Sequence, residues 1–296
     1  MFMRVLVGVD GLQGGHDAVA LATLLAAPGA EITLAHVYGK GLMPHHGAQV
    51  RSAQSRQSRE LLQRERDAVG NNVEVISCAA GSVGRGLHEL AERLGADLLV
   101  VGSCRRALLG RVLLGDGTTS SLNGAPCAVA IAPMAYASAG RALSSLGVGY
   151  DGSPESEQGL DAARELARRY AATVRALSVV SLQSIPYGEP IRENWPDAAR
   201  QLMDEELRRL RGLGEVEGDV SYGDPSEELA HFSETVDLLV VGSRGYGPVG
   251  RLMNGSTSNY LAQRAHCPLL VLPRSARREP GADAREGGVQ AHASSS

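Results

Sequence analysis

Short apolar runs alternate along the chain with longer stretches in which apolar residues recur every three to four positions. That alternation of β-rich and amphipathic segments predicts an α/β fold built on a parallel sheet. The first half offers strands at Arg4–Val9, Ile32–Tyr38, Val73–Cys78, Leu98–Val101 and Ala128–Ala132. The second offers Leu146–Tyr150, Val174–Val180, Val216–Ser221, Leu238–Val241 and Leu269–Leu272, again five. The two "LLVV" runs are apolar at every position, as expected of strands covered by helices on both faces. Between strands, Ser52–Val69 and Pro196–Leu213 carry helical spacing.

The chain also repeats itself. "DLLVVGSCRRALLGRVLLGDGTTSSLNGAPCAVAIAP" from Asp97 returns as "DLLVVGSRGYGPVGRLMNGSTSNYLAQRAHCPLLVLP" from Asp237, an offset of 140 that pairs Gly110 with Gly250, Gly115 with Gly255 and Cys127 with Cys267. "VLVGVDG" ending at Gly11 answers "LGVGYDG" ending at Gly152. A period of this length marks a duplicated domain. The division expected is a first domain over 1–134, a linker over 135–144 where apolar periodicity lapses, and a second domain over 145–274. A tail over 275–296, almost without large apolar residues, is expected to be disordered.

Composition narrows the chemistry. The 296 residues carry a net charge of −4, which argues against a nucleic-acid surface. Four cysteines without a C-x-x-C pair fit a reducing cytoplasm, and the N-terminal apolar run breaks at Asp10, too early for a signal peptide. No apolar run approaches membrane-spanning length. Lys40 is the single lysine, so a Walker A or Schiff-base lysine is all but excluded. No constellation of nucleophile, base and orienting group stands out, which leaves slow ATP hydrolysis as the most catalysis to expect.

The candidate chemistry lies after the fourth strand of the second half. Gly242 stands at the carboxyl end of a strand, where doubly wound sheets bind ligands. The glycines that follow allow backbone N–H groups to approach an anion. "GSTS" at 255–258 precedes the apolar-periodic "NYLAQRA" and reads as a helix start with a hydroxyl cap, a phosphate-favouring position. Gly245, Gly247 and Gly250 also spell G-x-G-x-x-G, but they follow a fourth strand, are interrupted by Pro248 and lack a ribose-binding acid near position 270. A loop of this composition equally suits a tight surface turn, and one loop alone does not separate the two readings.

The spacing does separate them. Gly242, Gly245, Gly255 and Ser256 fit G-x2-G-x9-G-[ST], and with the duplicated "V-x-V-D-G" opening and "C-P-x-L-V-x-P" close the chain resembles a tandem member of the universal stress protein family. The resemblance implies two Rossmann-like domains of the adenine nucleotide alpha hydrolase type, each a five-stranded parallel sheet of order 3-2-1-4-5 flanked by helices. It implies ATP across the ends of strands one and four, with Gly242 and Gly245 at ribose and phosphates and Gly255 and Ser256 on the phosphates. Ser243, Arg244, Thr257 and Ser258 are adjacent candidates, Asp151 would lie by the adenosine, and Val179 would meet adenine through its backbone. A strand-end Asp is also a common turn or cap residue. With lysine scarce, N–H dipoles, arginine and Mg2+ bound through phosphate oxygens would meet the triphosphate charge. Pairing of the halves through their last strands, dimerisation of whole chains and an unknown protein partner are also implied. The competing expectation is a nucleotide-independent interaction scaffold.

The first half departs from the signature, reading Gly102, Arg105, Gly115 and Asp116 at the matching positions. Asp116 sets a carboxylate where a hydroxyl should meet phosphate. One expectation is that Arg105 or Arg106 pairs with Asp116 and fills the phosphate position; the other is that Arg105 itself binds phosphate. Cys127 and Cys267 suit buried packing, His36 suits a satisfied core histidine, and the adjacent His45 and His46 are a weak metal signal. "SIPYGEPIRENWP", with Tyr187 and Trp195, is either a loop over the second site or a surface connector.

Overall fold

The computed structural model describes residues 1–39, 47–70, 73–103, 122–140, 142–181, 195–243 and 255–273. The first half runs β1 (Phe2–Gly8), α1 (Gln13–Leu25), β2 (Ala26–Gly39), α2 (Gly47–Val69), β3 (Glu74–Ala80), α3 (Val83–Leu94), β4 (Leu98–Gly102) and β5 (Ala128–Ala132). A short helix α4 (Tyr136–Ala139) leads to β6 (Ser145–Gly149), α5 (Pro154–Tyr170), β7 (Thr173–Val180), α6 (Trp195–Arg211), β8 (Glu217–Tyr222), α7 (Pro225–Phe232), β9 (Leu238–Gly242), α8 (Ser256–Arg264) and β10 (Leu269–Leu272).

The ten strands form one sheet ordered β3-β2-β1-β4-β5-β10-β9-β6-β7-β8, so each half has the expected order 3-2-1-4-5. Pairing is parallel within each half. It turns antiparallel where the halves meet, with Leu269 opposite Ile131, Leu270 opposite Ala130 and Val271 opposite Val129. The resemblance had implied this pairing of last strands.

The all-apolar strands are explained by their two covered faces. Leu98 and Val100 point into the core beneath α1, α2, α5 and α6. Leu99 and Val101 point into the core beneath α3, α7 and α8. Strand β9 divides Leu238 and Val240 from Leu239 and Val241 in the same way. With a period of two, a strand buried on both sides must be apolar throughout. Cys127 and Cys267 are buried in the second core, and burial, with the Asp97 charge adding, pushes the Cys127 thiol up to about 12. Both are packing residues with inert thiols.

Helix starts follow local chemistry. Ser82 caps α3 by accepting from Arg85 N at 3.3 Å, and Ser153 caps α5 by accepting from Ser156 N at 3.2 Å. Asp224 caps α7 by accepting from Ser226 N at 2.8 Å and Glu227 N at 3.3 Å. Pro154 and Pro225 stand in the first turns of α5 and α7, where a missing N–H costs nothing.

One expectation changes. Strand β2 begins at Ala26 rather than Ile32, because Phe2 pairs with Ala26 before the register shifts to Arg4 with Glu31. Pro28 and Gly29, the latter at φ +79°, interrupt the sequence pattern there. Within the linker, the buried carboxylate of Asp17 accepts from Ala135 N at 2.8 Å and Ala137 N at 2.9 Å, pinning α4 to α1. No helix among the described residues is long and apolar enough to cross a membrane. The tail, residues 184–194, and His45 with His46 lie outside the described residues.

Candidate functional site

In the second half the strand order reverses between β6 and β9, and the C-terminal ends of β6, β7 and β9 open onto a pocket of about 220 Å³. Three helices begin on its wall, for Ser153 and Glu155 of α5, Asp224 and Ser226 of α7, and Gly255 to Ser258 of α8 all line it. Convergent helix N-termini bring partial positive charge and N–H donors to one place. The hydroxyls of Ser226 and Thr257 meet across the gap between α7 and α8 at 3.5 Å.

The three starts are not equivalent. Helices α5 and α7 have side-chain caps, whereas α8 begins on Gly255, and no side-chain hydrogen bond caps it. The expected hydroxyl cap is therefore absent among the described residues. Ser258, buried, instead donates back to Gly255 O at 3.2 Å. Among the described residues no side chain caps the first-turn N–H groups of α8, which a ligand in the pocket could therefore use.

Apolar lining comes from Leu177 and Val179 of β7, Leu229 of α7 and Val241 of β9. The β6–β7 ladder ends at Gly149 with Leu177, extended by a bond from Tyr150 N to Leu177 O at 2.9 Å. Strand β7 continues to Val180, so on its β6 side Val179 lies beyond the last ladder pair. An aromatic ring inserted there would meet both apolar side chains and β7 backbone.

Of the residues expected from sequence, Asp151, Val179, Gly242, Gly255, Ser256, Thr257 and Ser258 share this pocket. Asp151 also acts as a turn residue, its Oδ1 accepting from Ser153 N at 3.0 Å and Ser153 Oγ at 2.5 Å. Gly242 has a second reason to be glycine, since a Cβ there would stand 2.6 Å from Glu155 Cβ in the first turn of α5. Ser243 is buried and not among the lining residues; its N–H donates to Leu272 O at 2.9 Å. Arg244 and Gly245 lie outside the described residues, as do Arg105, Arg106, Gly115 and Asp116. Sequence reading missed Leu177, Ser153, Asp224, Ser226 and Leu229. The available signal was "DGSPE" and "YGDPSE", each a strand end followed by a capping residue and proline.

Three carboxylates, of Asp151, Glu155 and Asp224, line a pocket whose helix ends favour an anion. The Asp224 carboxylate is engaged at its own helix cap and Asp151 in its own turn. Glu155 stands beside Gly242, and the start of α7 adjoins that of α8, so carboxylates, helix-start donors and apolar side chains share one lining.

The first half is built differently at the matching place. Leu87 of α3 and Leu229 of α7 stand over equivalent strand glycines, Gly8 and Gly149, which aligns Gly86 with Glu228. A Cβ on Gly86 would lie 2.7 Å from Val37 Cγ1 and 2.9 Å from Ala80 Cβ. Val37 is the counterpart of Val179, so α3 comes close at Gly86 to the strand position that lines the pocket in the second half, although both valines are partly buried. His36, expected as a satisfied core histidine, has its Nδ1 2.8 Å from Ser58 Oγ, and burial holds its pKa below the ordinary histidine value.

The universal stress protein family matches residues 1–133 and again 144–273. A universal stress protein of Mycolicibacterium smegmatis is 30% identical over 288 residues, covering 90% of this chain and 96% of its own length. One from Mycobacterium tuberculosis is 28% identical over 239 residues, covering 76% of this chain and 80% of its own. The crystal structure of a universal stress protein from Archaeoglobus fulgidus superposes with a TM-score of 0.63 at 18% identity, over 92% of this chain and 98% of that one. At that identity the likeness speaks for the fold.

Proposed function

Since this chain belongs to the universal stress protein family, with two copies of the family domain in tandem, we propose that it binds ATP in its second half and that occupancy of that site is its signal in a stress or dormancy response. The observation that carries the reading is the mixed lining of one pocket. Its apolar residues Leu177, Val179 and Leu229 suit a purine, and the helix start at Gly255 to Ser258, which no side chain caps, suits phosphates.

In this reading Asp151 lies beside the ribose, and Ser256, Thr257 and Ser226 surround the phosphates. Mg2+ accompanies the nucleotide and is held through phosphate oxygens and water. Arg244 and Gly245 follow Gly242 in the chain and complete the signature. A ligand bound only by the folded state adds stability in proportion to the logarithm of its concentration, so cellular ATP would set the folded or assembled population.

Calorimetric titration of Mg-ATP into nucleotide-stripped protein tests this directly. One site per chain is expected, lost in Gly255→Asp, because a carboxylate at the α8 start would repel phosphate. AMP and cyclic AMP titrated alongside would reveal a preference for fewer phosphates. Absence of any binding heat, together with no nucleotide-dependent thermal shift, would overturn the reading and leave the continuous ten-stranded sheet as a scaffold for another protein.

A further inference from the structure

Behind the Asp151 turn, on the α5 and α6 face of the sheet, five side chains make one connected series. Ser178 Oγ donates to Glu206 Oε2 at 3.0 Å, and Arg209 Nη2 meets the same oxygen at 3.0 Å. The Arg209 guanidinium lies 5.2 Å from the centre of the Tyr150 ring. The Tyr150 hydroxyl donates to Glu157 in the first turn of α5. Burial, with the Glu157 carboxylate adding, pushes that hydroxyl up to about 12, so it remains a donor through the physiological range.

Arg209 also closes on the turn itself. Gly152 has φ +74°, and a Cβ there would stand 2.7 Å from Arg209 Nη1. Arg209 thus packs behind the turn that carries Asp151 and pairs with Glu206, whose same oxygen accepts from Ser178, the neighbour of Val179 on β7.

The first half supplies an internal control. Gly11 has φ +72°, and the side chain behind it is Leu61, whose Cδ1 would be 2.8 Å from a Cβ on Gly11. An apolar side chain therefore suffices to pack this turn in the same fold. A polar tie from helix to second strand exists in both halves, Ser58 with His36 in the first and Glu206 with Ser178 in the second. What Leu61 lacks is a bond to that tie, and the planar cation of Arg209, which can stack and pair at once, makes one through Glu206.

We propose that Arg209 is a positioning residue of the nucleotide site: it locks the Asp151 turn to strand β7 and so fixes the carboxylate relative to the adenosine end of the pocket. The inference rests on the nucleotide reading given above. Asp151 faces the ligand and Arg209 acts only through it. A carboxylate beside a ribose accepts from its hydroxyls, and its contribution depends on direction as well as distance.

The test uses Arg209→Leu, which copies the packing of the first half. Affinities for Mg-ATP and for Mg-2′,3′-dideoxy-ATP are measured by calorimetry in the full chain, with thermal midpoints of the unliganded proteins. Unaltered protein should prefer ATP. In Arg209→Leu, ATP affinity should fall about tenfold, the worth of one misdirected hydrogen bond, while the dideoxy nucleotide is little affected. Arg209→Lys, which keeps a cation for Glu206, should recover part of the preference. An equal loss for both nucleotides would assign Arg209 a purely structural role and overturn the inference, as would no loss at all. Unaltered protein that binds both equally would overturn it while leaving ATP binding intact. Protein that binds neither would remove the nucleotide reading itself and this inference with it.

Discussion

The two halves share a strand order, matched cores and glycines at the same strand ends, yet they differ at the place where a ligand would enter. In the first half Gly86 lets α3 settle onto Val37; in the second, Glu228 occupies the equivalent helical position and Val179 faces a pocket. Behind the first strand, Leu61 packs against the turn in one half and Arg209, paired with Glu206, in the other. The core tolerates duplication because both copies must satisfy the same burial. The upper rim is free to diverge, because the side chain at a single helical position sets how closely a helix approaches the strand beneath it.

The largest effect should come from the glycines that the halves share. A Cβ on Gly102 would lie 1.8 Å from the carbonyl oxygen of Gly14, a backbone atom that yields only if α1 shifts. Gly102→Ala should therefore cost about 3 kcal/mol or more in urea unfolding. Gly242→Ala meets Glu155 Cβ at 2.6 Å and should cost roughly 2 kcal/mol. A larger loss at Gly242 than at Gly102 would break the view that both are packing glycines first.

A smaller effect should separate the halves by pH. His36 titrates below its ordinary value because burial penalises the imidazolium, with the Asp10 charge partly opposing this. Near pH 6.5 the folded chain then binds fewer protons than the unfolded one, so His36 makes stability fall as pH drops below about 6.5 toward the folded value. His36→Gln should flatten that part of the thermal-midpoint profile. The equivalent second-half residue, Ser178, has no such titration, and Ser178→Ala should leave the slope unchanged.

The last comparison predicts no effect. Restoring the signature in the first half with Arg105→Gly and Asp116→Ser should leave nucleotide stoichiometry at one per chain, because α3 still rests on Val37. A second site in that double variant would show that the signature positions alone silence the first half.

Much of this was legible in the linear chain. The ten strands were marked by apolar runs and the duplication by the repeat from Asp97 to Asp237, because burial on two faces leaves no freedom in composition. Seven of the expected ligand-facing residues meet in one pocket because strand ends and helix starts of the same domain converge there by topology. Leu177 and Leu229 were hidden, since an apolar residue in a strand or helix looks the same whether it lines a pocket or fills a core. Asp17 gave no signal either, because its partners at Ala135 and Ala137 lie more than a hundred positions away.

The sequence by itself determined the class of fold, its duplication and the loop where phosphate chemistry would lie, because periodicity and glycine spacing are local consequences of burial and backbone freedom. Only the tertiary structure decided how the halves differ at the Val37 and Val179 positions and what stands behind the Asp151 turn. Those depend on how closely a helix approaches a strand, a distance of a few ångströms between residues far apart in the chain.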